Sequence, residues 1–291
     1  MENSAEPIFP SRAIQWGALS VLLVVLYRSV FPKWGYDLWD DPNYSHGLLI
    51  PFVTLYLVRE RLPELRAAAR SSSLFGLTIV VFSLLLFIAG HVGAEFFSKR
   101  ISFILLLYGM ILFLEGREIA SILAFPVGIL FFAVPLPYVL YNSIAFPLKL
   151  IASRIAVWFI ALLGIPVYLE GNVITLAHTT LEVVDACSGI RSLMTLFTLG
   201  FLLAYFHHSR CWKRILVVLL VVPVAVIANA LRVTLTAVLT RYDEAWGHGT
   251  LHDLTGWLVF ILSFLLLTGI SWLFRAKDVS QQGPGGAGGG R

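Results

Sequence analysis

Nine runs of apolar residues, at about 13–31, 46–58, 73–96, 101–114, 118–134, 138–164, 187–206, 213–240 and 252–274, leave this chain few ways to fold. In hydrocarbon every backbone N–H and C=O must be paired inside the protein, so such runs cross a bilayer as helices. About 20 apolar residues suffice for one crossing. Composition excludes a soluble domain: 58% of the 291 residues are hydrophobic, only 13% are charged, and mean hydropathy is +0.84. The chain therefore reads as an all-α polytopic membrane protein.

A formal charge of +4 and a pI near 9.1 would suggest nucleic acid in a soluble chain. Here the basic residues cluster in short loops between apolar runs, where they meet lipid headgroups and the membrane potential instead. Nucleic acid is thus not an expected partner, whereas membrane lipid is. The first twelve residues, MENSAEPIFPSR, lack the positive n-region of a cleaved signal, so the first run is expected to stay as a helix.

Charge also orients the chain. Arg59, Arg61, Arg66 and Arg70 share one loop, Arg210, Lys213 and Arg214 another, and Arg275 and Lys277 follow the last run. The positive-inside rule makes all three cytoplasmic. The loop 32–45, with Asp37, Asp40 and Asp41 against Lys33, and the loop 241–251, with Asp243 and Glu244 against Arg241, then face outward. The loops at 59–70 and 207–214 can share a side only if an even number of crossings separates them. Five runs lie between, so one does not cross. Residues 138–164, interrupted by Pro147 and carrying Asn142, Ser143, Lys149, Ser153 and Arg154, are expected to form an interfacial or re-entrant segment. About eight transmembrane helices result, both termini inside, with Lys99 and Arg100 in a short outer loop. Residues 1–12 then form a cytoplasmic N-terminus, 13–274 a single polytopic domain, and 275–291, ending in QQGPGGAGGGR, a flexible cytoplasmic tail.

Between the sixth and seventh runs, residues 165–186 alternate apolar and polar positions on either side of Glu170-Gly171-Asn172. That pattern predicts a small outer β-hairpin. It feeds directly into Cys187, in LEVVDACSGIRSLM, where a polar stretch becomes an apolar helix. A thiol in the first turn of a helix feels the positive end of the dipole, which favours the nucleophilic thiolate. A small buried hydrophobe is the plainer role of a free cysteine. The other cysteine, Cys211, lies about 35 Å away if one helix joins the two, too far for a disulfide or a dithiol relay.

Depth brings further residues to the level of Cys187. Arg232 follows Lys213 by nineteen residues, about 28 Å along a helix, and so reaches the outer leaflet. An intramembrane arginine costs about 2.5 to 3.5 kcal/mol on insertion scales and normally faces a cavity or a partner. It could stabilise an oxyanion or clamp a substrate. Asn229 shares its face at i−3 and could orient the guanidinium. His252 begins the last run at the same surface and suits general acid and base chemistry, although an interfacial polar role is the simpler one. His248 competes from a looser Gly-His-Gly setting. Arg191, at i+4 from Cys187, could lower the thiol pKa, hold a substrate carboxylate, or snorkel to headgroups. His207 and His208 fall on the other side, and His91 and His178 have no evident partner. No HExxH, P-loop, GxGxxG or GxSxG occurs, so neither a metal nor a cofactor is expected.

Three ordered motifs tie these residues together: Asp185-Ala186-Cys187-Ser188-Gly189-Ile190-Arg191-Ser192-Leu193, Asn229-Ala230-Leu231-Arg232, and His252-Asp253-Leu254-Thr255-Gly256-Trp257. With Tyr44-Ser45-His46-Gly47, Pro135-Leu136-Pro137 and Gly164-Ile165-Pro166-Val167, they resemble the exosortase/archaeosortase family over about residues 40–270. The resemblance implies a membrane transpeptidase, analogous to sortases, that cleaves a C-terminal signal made of a Pro-Glu-Pro motif, an apolar helix and a basic end. Cys187, Arg232 and His252 match the family's catalytic Cys, Arg and His, with Arg191, Asn229, Ser188 and Gly189 in supporting positions. Histidine at the third place is similar to bacterial members, hence a bacterial inner membrane with a periplasmic site. Exported proteins with such signals and an acceptor nucleophile are the partners implied. A non-enzymatic transport or assembly subunit for cell-surface polysaccharide, with Arg232 on an anionic lipid-linked substrate, is the alternative, and a hydrolytic membrane protease shares every residue named.

Overall fold

The structure is a computed structural model and describes residues 12–177, 179–182, 190–208, 210–243, 246 and 249–281. The chain is an all-α membrane protein with a small sheet. It packs as two compact units, one up to Pro135 and one from Leu136.

The first unit comprises α1 (Arg12–Leu26), α2 (Val30–Asp40), a 3-10 turn (Ser45–Leu48), α3 (Ile50–Glu60), α4 (Leu62–Ala67), α5 (Leu74–Val92), α6 (Phe96–Leu114), α7 (Arg117–Gly128) and a second 3-10 turn (Ile129–Ala133). Its centre is the α5/α6 hairpin. The buried residues of α5 are Gly76, Ser83 and Gly90, spaced seven apart, and its large side chains face outward. Lipid tails are as apolar as leucine, so helices associate in a bilayer where small residues let backbones approach. A Cβ on Gly76 would lie 2.2 Å from the Phe113 amide nitrogen, a backbone atom that cannot step aside. Gly76→Ala is therefore expected to destabilise the hairpin by about 3 kcal/mol, the upper range for overpacking. Gly17→Ala, with nothing within 4 Å of its Cβ, should leave the unfolding temperature in detergent unchanged or slightly raised.

Two expectations for this unit are corrected. Lys99 and Arg100 are not in a loop. Glu95 caps α6 by accepting from the Phe97 and Ser98 amides, which starts the helix early and carries both cations inside, 7% and 3% exposed. Lys99 lies over the Phe96 ring at 4.3 Å, and Arg100 pairs with Asp37. Paired inside the protein, they carry no weight in a rule about exposed loop charge. Burial alone would raise the Glu95 carboxyl, but the bonds from Ser98 and Phe97 outweigh it and hold its pKa below the usual glutamate range. Nor is 32–45 a plain loop, since α2 covers most of it. Its Trp34 indole donates to the Ala133 carbonyl at 2.6 Å, which fixes α2 against the end of the unit.

The second unit comprises α8 (Tyr138–Leu162), β1 (Val167–Glu170), β2 (Val173–Leu176), β3 (Thr180–Glu182), α9 (Ile190–His207), α10 (Cys211–Thr240) and α11 (Gly249–Gln281). The segment expected to be broken at Pro147 is one continuous 25-residue helix, α8, long and apolar enough to cross a membrane. Its hydroxyls explain this: Ser143 bonds back to the Val139 carbonyl and Ser153 to that of Lys149, at 2.7 and 2.8 Å, so they need no outside partner. Among the described residues α5, α6, α8, α10 and the Leu254–Phe274 part of α11 meet the criteria for a span; α1 with α2, bent by 68°, makes a sixth if counted as one.

The expected hairpin is present and gains a strand. β1 and β2 pair antiparallel from Val167↔Leu176 to Glu170↔Val173 around Gly171-Asn172, and Gly171 has the positive φ of 61° that such a two-residue turn needs. β3 adds to β2 antiparallel. The inner face of the sheet, Ile174 and Leu176 with Val167, Leu169 and Leu181, packs on Ala156 and Ile160 of α8 and on Ala230, Val233 and Ala237 of α10. A second core joins Leu193, Leu196 and Leu203 of α9 to Val217, Val221 and Ala225 of α10 and Leu267 of α11.

Candidate functional site

The sheet sits against the half of α10 that carries Asn229 and Arg232. At the other end of that helix Lys213 donates to the Phe274 carbonyl at 2.8 Å and His208 meets the Ser271 hydroxyl at 3.0 Å. Trp212 and Trp272 are exposed at that end, and Trp257 is exposed beside the Arg232 end. Exposed tryptophans favour the two membrane interfaces. The nineteen residues from Lys213 to Arg232 cover about 28 Å, close to one hydrocarbon thickness. Arg232 therefore lies about one hydrocarbon thickness along α10 from Lys213 and the Phe274 carbonyl that Lys213 binds.

What receives Arg232 is a glycine. A Cβ built on Gly256 of α11 would meet the Arg232 Cζ and Nη2 at 3.0 Å and Nε at 3.3 Å. The flat guanidinium thus lies directly on the α11 backbone, and any larger residue at 256 would displace it. Beside it lies a narrow cavity with free space for about one water molecule, lined by Ser192 and Leu196 of α9, Ala225, Ala228, Asn229 and Arg232 of α10, and Gly256, Val259, Phe260 and Ser263 of α11. Its wall is mainly apolar, with Asn229, Arg232, Ser192 and Ser263 as the polar residues on it.

Arg232 and Asn229 share the cleft, as their i,i+3 spacing implies. Asn229 does not hold the guanidinium, however. It is 4% exposed, and neither its Oδ1 nor its Nδ2 has a hydrogen-bond partner among the described residues. Arg191 is exposed in the first turn of α9 and is not part of the lining. Cys187, Ser188 and Gly189 lie outside the described residues, as do His178 and His248. His252 is described in its backbone only, four residues before Gly256 in α11. His207 and His208 end α9 at the opposite side, and His91 stacks on Phe87 in the first unit.

Of the other residues lining the cavity, Ser192 and Gly256 lie within the quoted motifs without a role of their own, and Ser263 lies outside them. Gly256 had a signal: it stands at i+4 from His252, on the same face, and it is one of few glycines inside an apolar run.

A family model described as transmembrane exosortase matches residues 38–269. Comparison with curated proteins gives no match, and comparison with solved structures gives none. The match spans both units and every motif residue of the cleft; the chain belongs to the transmembrane exosortase family, and its general work is protein sorting of the transpeptidase type in a membrane.

Proposed function

We propose that this protein is a cysteine transpeptidase that cuts exported proteins at a C-terminal sorting signal on the outer face of the bacterial inner membrane, with Cys187, Arg232 and His252 as its catalytic set. The observation that carries this reading is the seat of Arg232 on Gly256, four residues from His252, beside a small cavity that Asn229, Ser192 and Ser263 also line. Support for including Cys187 comes from its flanks. The chain before it is anchored to α10 beside Arg232 through Leu181, and the chain after it contributes Ser192 to the cleft. Ten residues, 182–191, join the two anchors.

The chemistry follows from the residue types. The Cys187 thiolate attacks the scissile carbonyl, and the Arg232 N–H groups stabilise the oxyanion. Collapse breaks the C–N bond, His252 as imidazolium protonates the leaving amine, and a thioester remains on Cys187. The acceptor nucleophile then loses its proton to His252, attacks the thioester and releases the thiolate. Arg191, exposed in the first turn of α9, is the cation assigned to the glutamate of a Pro-Glu-Pro signal.

Mass spectrometry of the processed C-terminus tests the reading. The expected product is the shortened protein joined to an acceptor. A free carboxylate as the sole product, formed at the full rate, would instead identify a hydrolytic protease.

A further inference from the structure

A buried side-chain amide with no partner is costly unless something supplies its hydrogen bonds. Among the described residues Asn229 is such a group, and it lines the cavity beside Arg232. It offers one acceptor and two donors, the complement of a peptide group. A substrate that is helical in the membrane must unwind where it is cut, and the first N–H groups of its helix have no intrahelical partner. At this depth water is scarce, so the protein has to satisfy what the substrate leaves open. Ser192, Ala228 and Gly256 are the small residues that share the cavity with the amide.

We propose that Asn229 is a peptide-amide subsite: Oδ1 accepts a backbone N–H of the substrate and Nδ2 donates to a backbone carbonyl, where the signal's helix gives way to the extended segment that is cut. This deepens the transpeptidase reading and rests on it for the identity of the substrate. Asn229 is a binding residue here and takes no part in proton transfer. Because a backbone amide is common to every peptide, the subsite holds the chain in place without choosing its sequence; choice falls to other residues.

The test uses the full-length protein in lipid nanodiscs and a tagged substrate protein ending in a Pro-Glu-Pro motif, an apolar helix and a basic tail. Asn229→Leu, close in volume and unable to hydrogen-bond, is expected to raise KM about tenfold with a smaller change in kcat. Asn229→Gln, which keeps a donor and an acceptor, recovers part of the loss. In the substrate-free protein Asn229→Leu raises the melting temperature, because it removes an unsatisfied buried amide. An ordered water on Asn229 is the competing account. It predicts an unchanged KM, and that result overturns the proposal, as does a lowered melting temperature with KM unaffected. If the wild-type protein cuts no such substrate, the functional reading fails separately, and the melting shift still decides the role of Asn229: a rise keeps it facing a ligand, a fall assigns it to structure.

Discussion

Cys187→Ala reduces processing of a sorting-signal substrate to the floor of the assay, about 10⁴-fold or more, while Cys211→Ala leaves the rate within about twofold. The contrast is informative because both cysteines have a claim on the same electrostatic advantage. Cys211 is the first residue of α10 and is exposed, so a helix N-terminus acts on it as fully as the sequence predicts for Cys187. If a helix start alone made a nucleophile, Cys211 would serve. It sits 21 residues before Arg232, about 31 Å along the same helix, with no oxyanion donor or proton carrier of the proposed set in reach. Full activity of Cys187→Ala would remove the enzyme and leave the binding subunit for an anionic lipid-linked substrate. A membrane-impermeant thiol reagent separates the two roles independently: labelling of Cys187 that is rapid, pH-sensitive and inactivating belongs to a catalytic thiolate.

Much of the fold is legible in the sequence because the bilayer removes most alternatives. Each of the nine apolar runs contains helix. The hairpin follows from alternation around Gly171, and the shared face of Asn229 and Arg232 from their spacing. What escapes is whatever depends on a partner. Ser143 and Ser153 look disqualifying for a membrane helix until their bonds to their own backbone are seen. Lys99 and Arg100 look like loop charges until Glu95 and Asp37 are found beside them. With α8 continuous, an even number of crossings between the loops at 59–70 and 207–214 requires another run to stay on one side. We assign that place to α7, the shortest α-helix between those two loops, at 12 residues and about 18 Å. Either choice leaves three crossings between the loop at 59–70 and Cys187, so its proposed outer position does not change.

Gly256→Ala separates the position of Arg232 from its presence. The new methyl meets the Arg232 Cζ and Nη2 at 3.0 Å, closer than ordinary van der Waals contact, so the guanidinium moves by a few tenths of an ångström. Misplacement on the order of 1 Å can cost about 10²-fold in rate, so kcat is expected to fall roughly tenfold. Alanine is also the better helix former by about 1 kcal/mol, so the melting temperature is unchanged or higher, and a loss of fold cannot account for the loss of rate. Gly256→Leu evicts the guanidinium and brings kcat down to that of Arg232→Ala, about 10² to 10³ below wild type. Arg232→Lys resembles it too, since an ammonium has no flat fork to lay on the α11 backbone. The decisive measurement is the double variant: Gly256→Leu in an Arg232→Ala background costs nothing further, because the two residues act as one unit. Additive losses would mean that Gly256 serves something other than Arg232, and a wild-type kcat for Gly256→Ala would mean that the seat of the guanidinium does not set the rate.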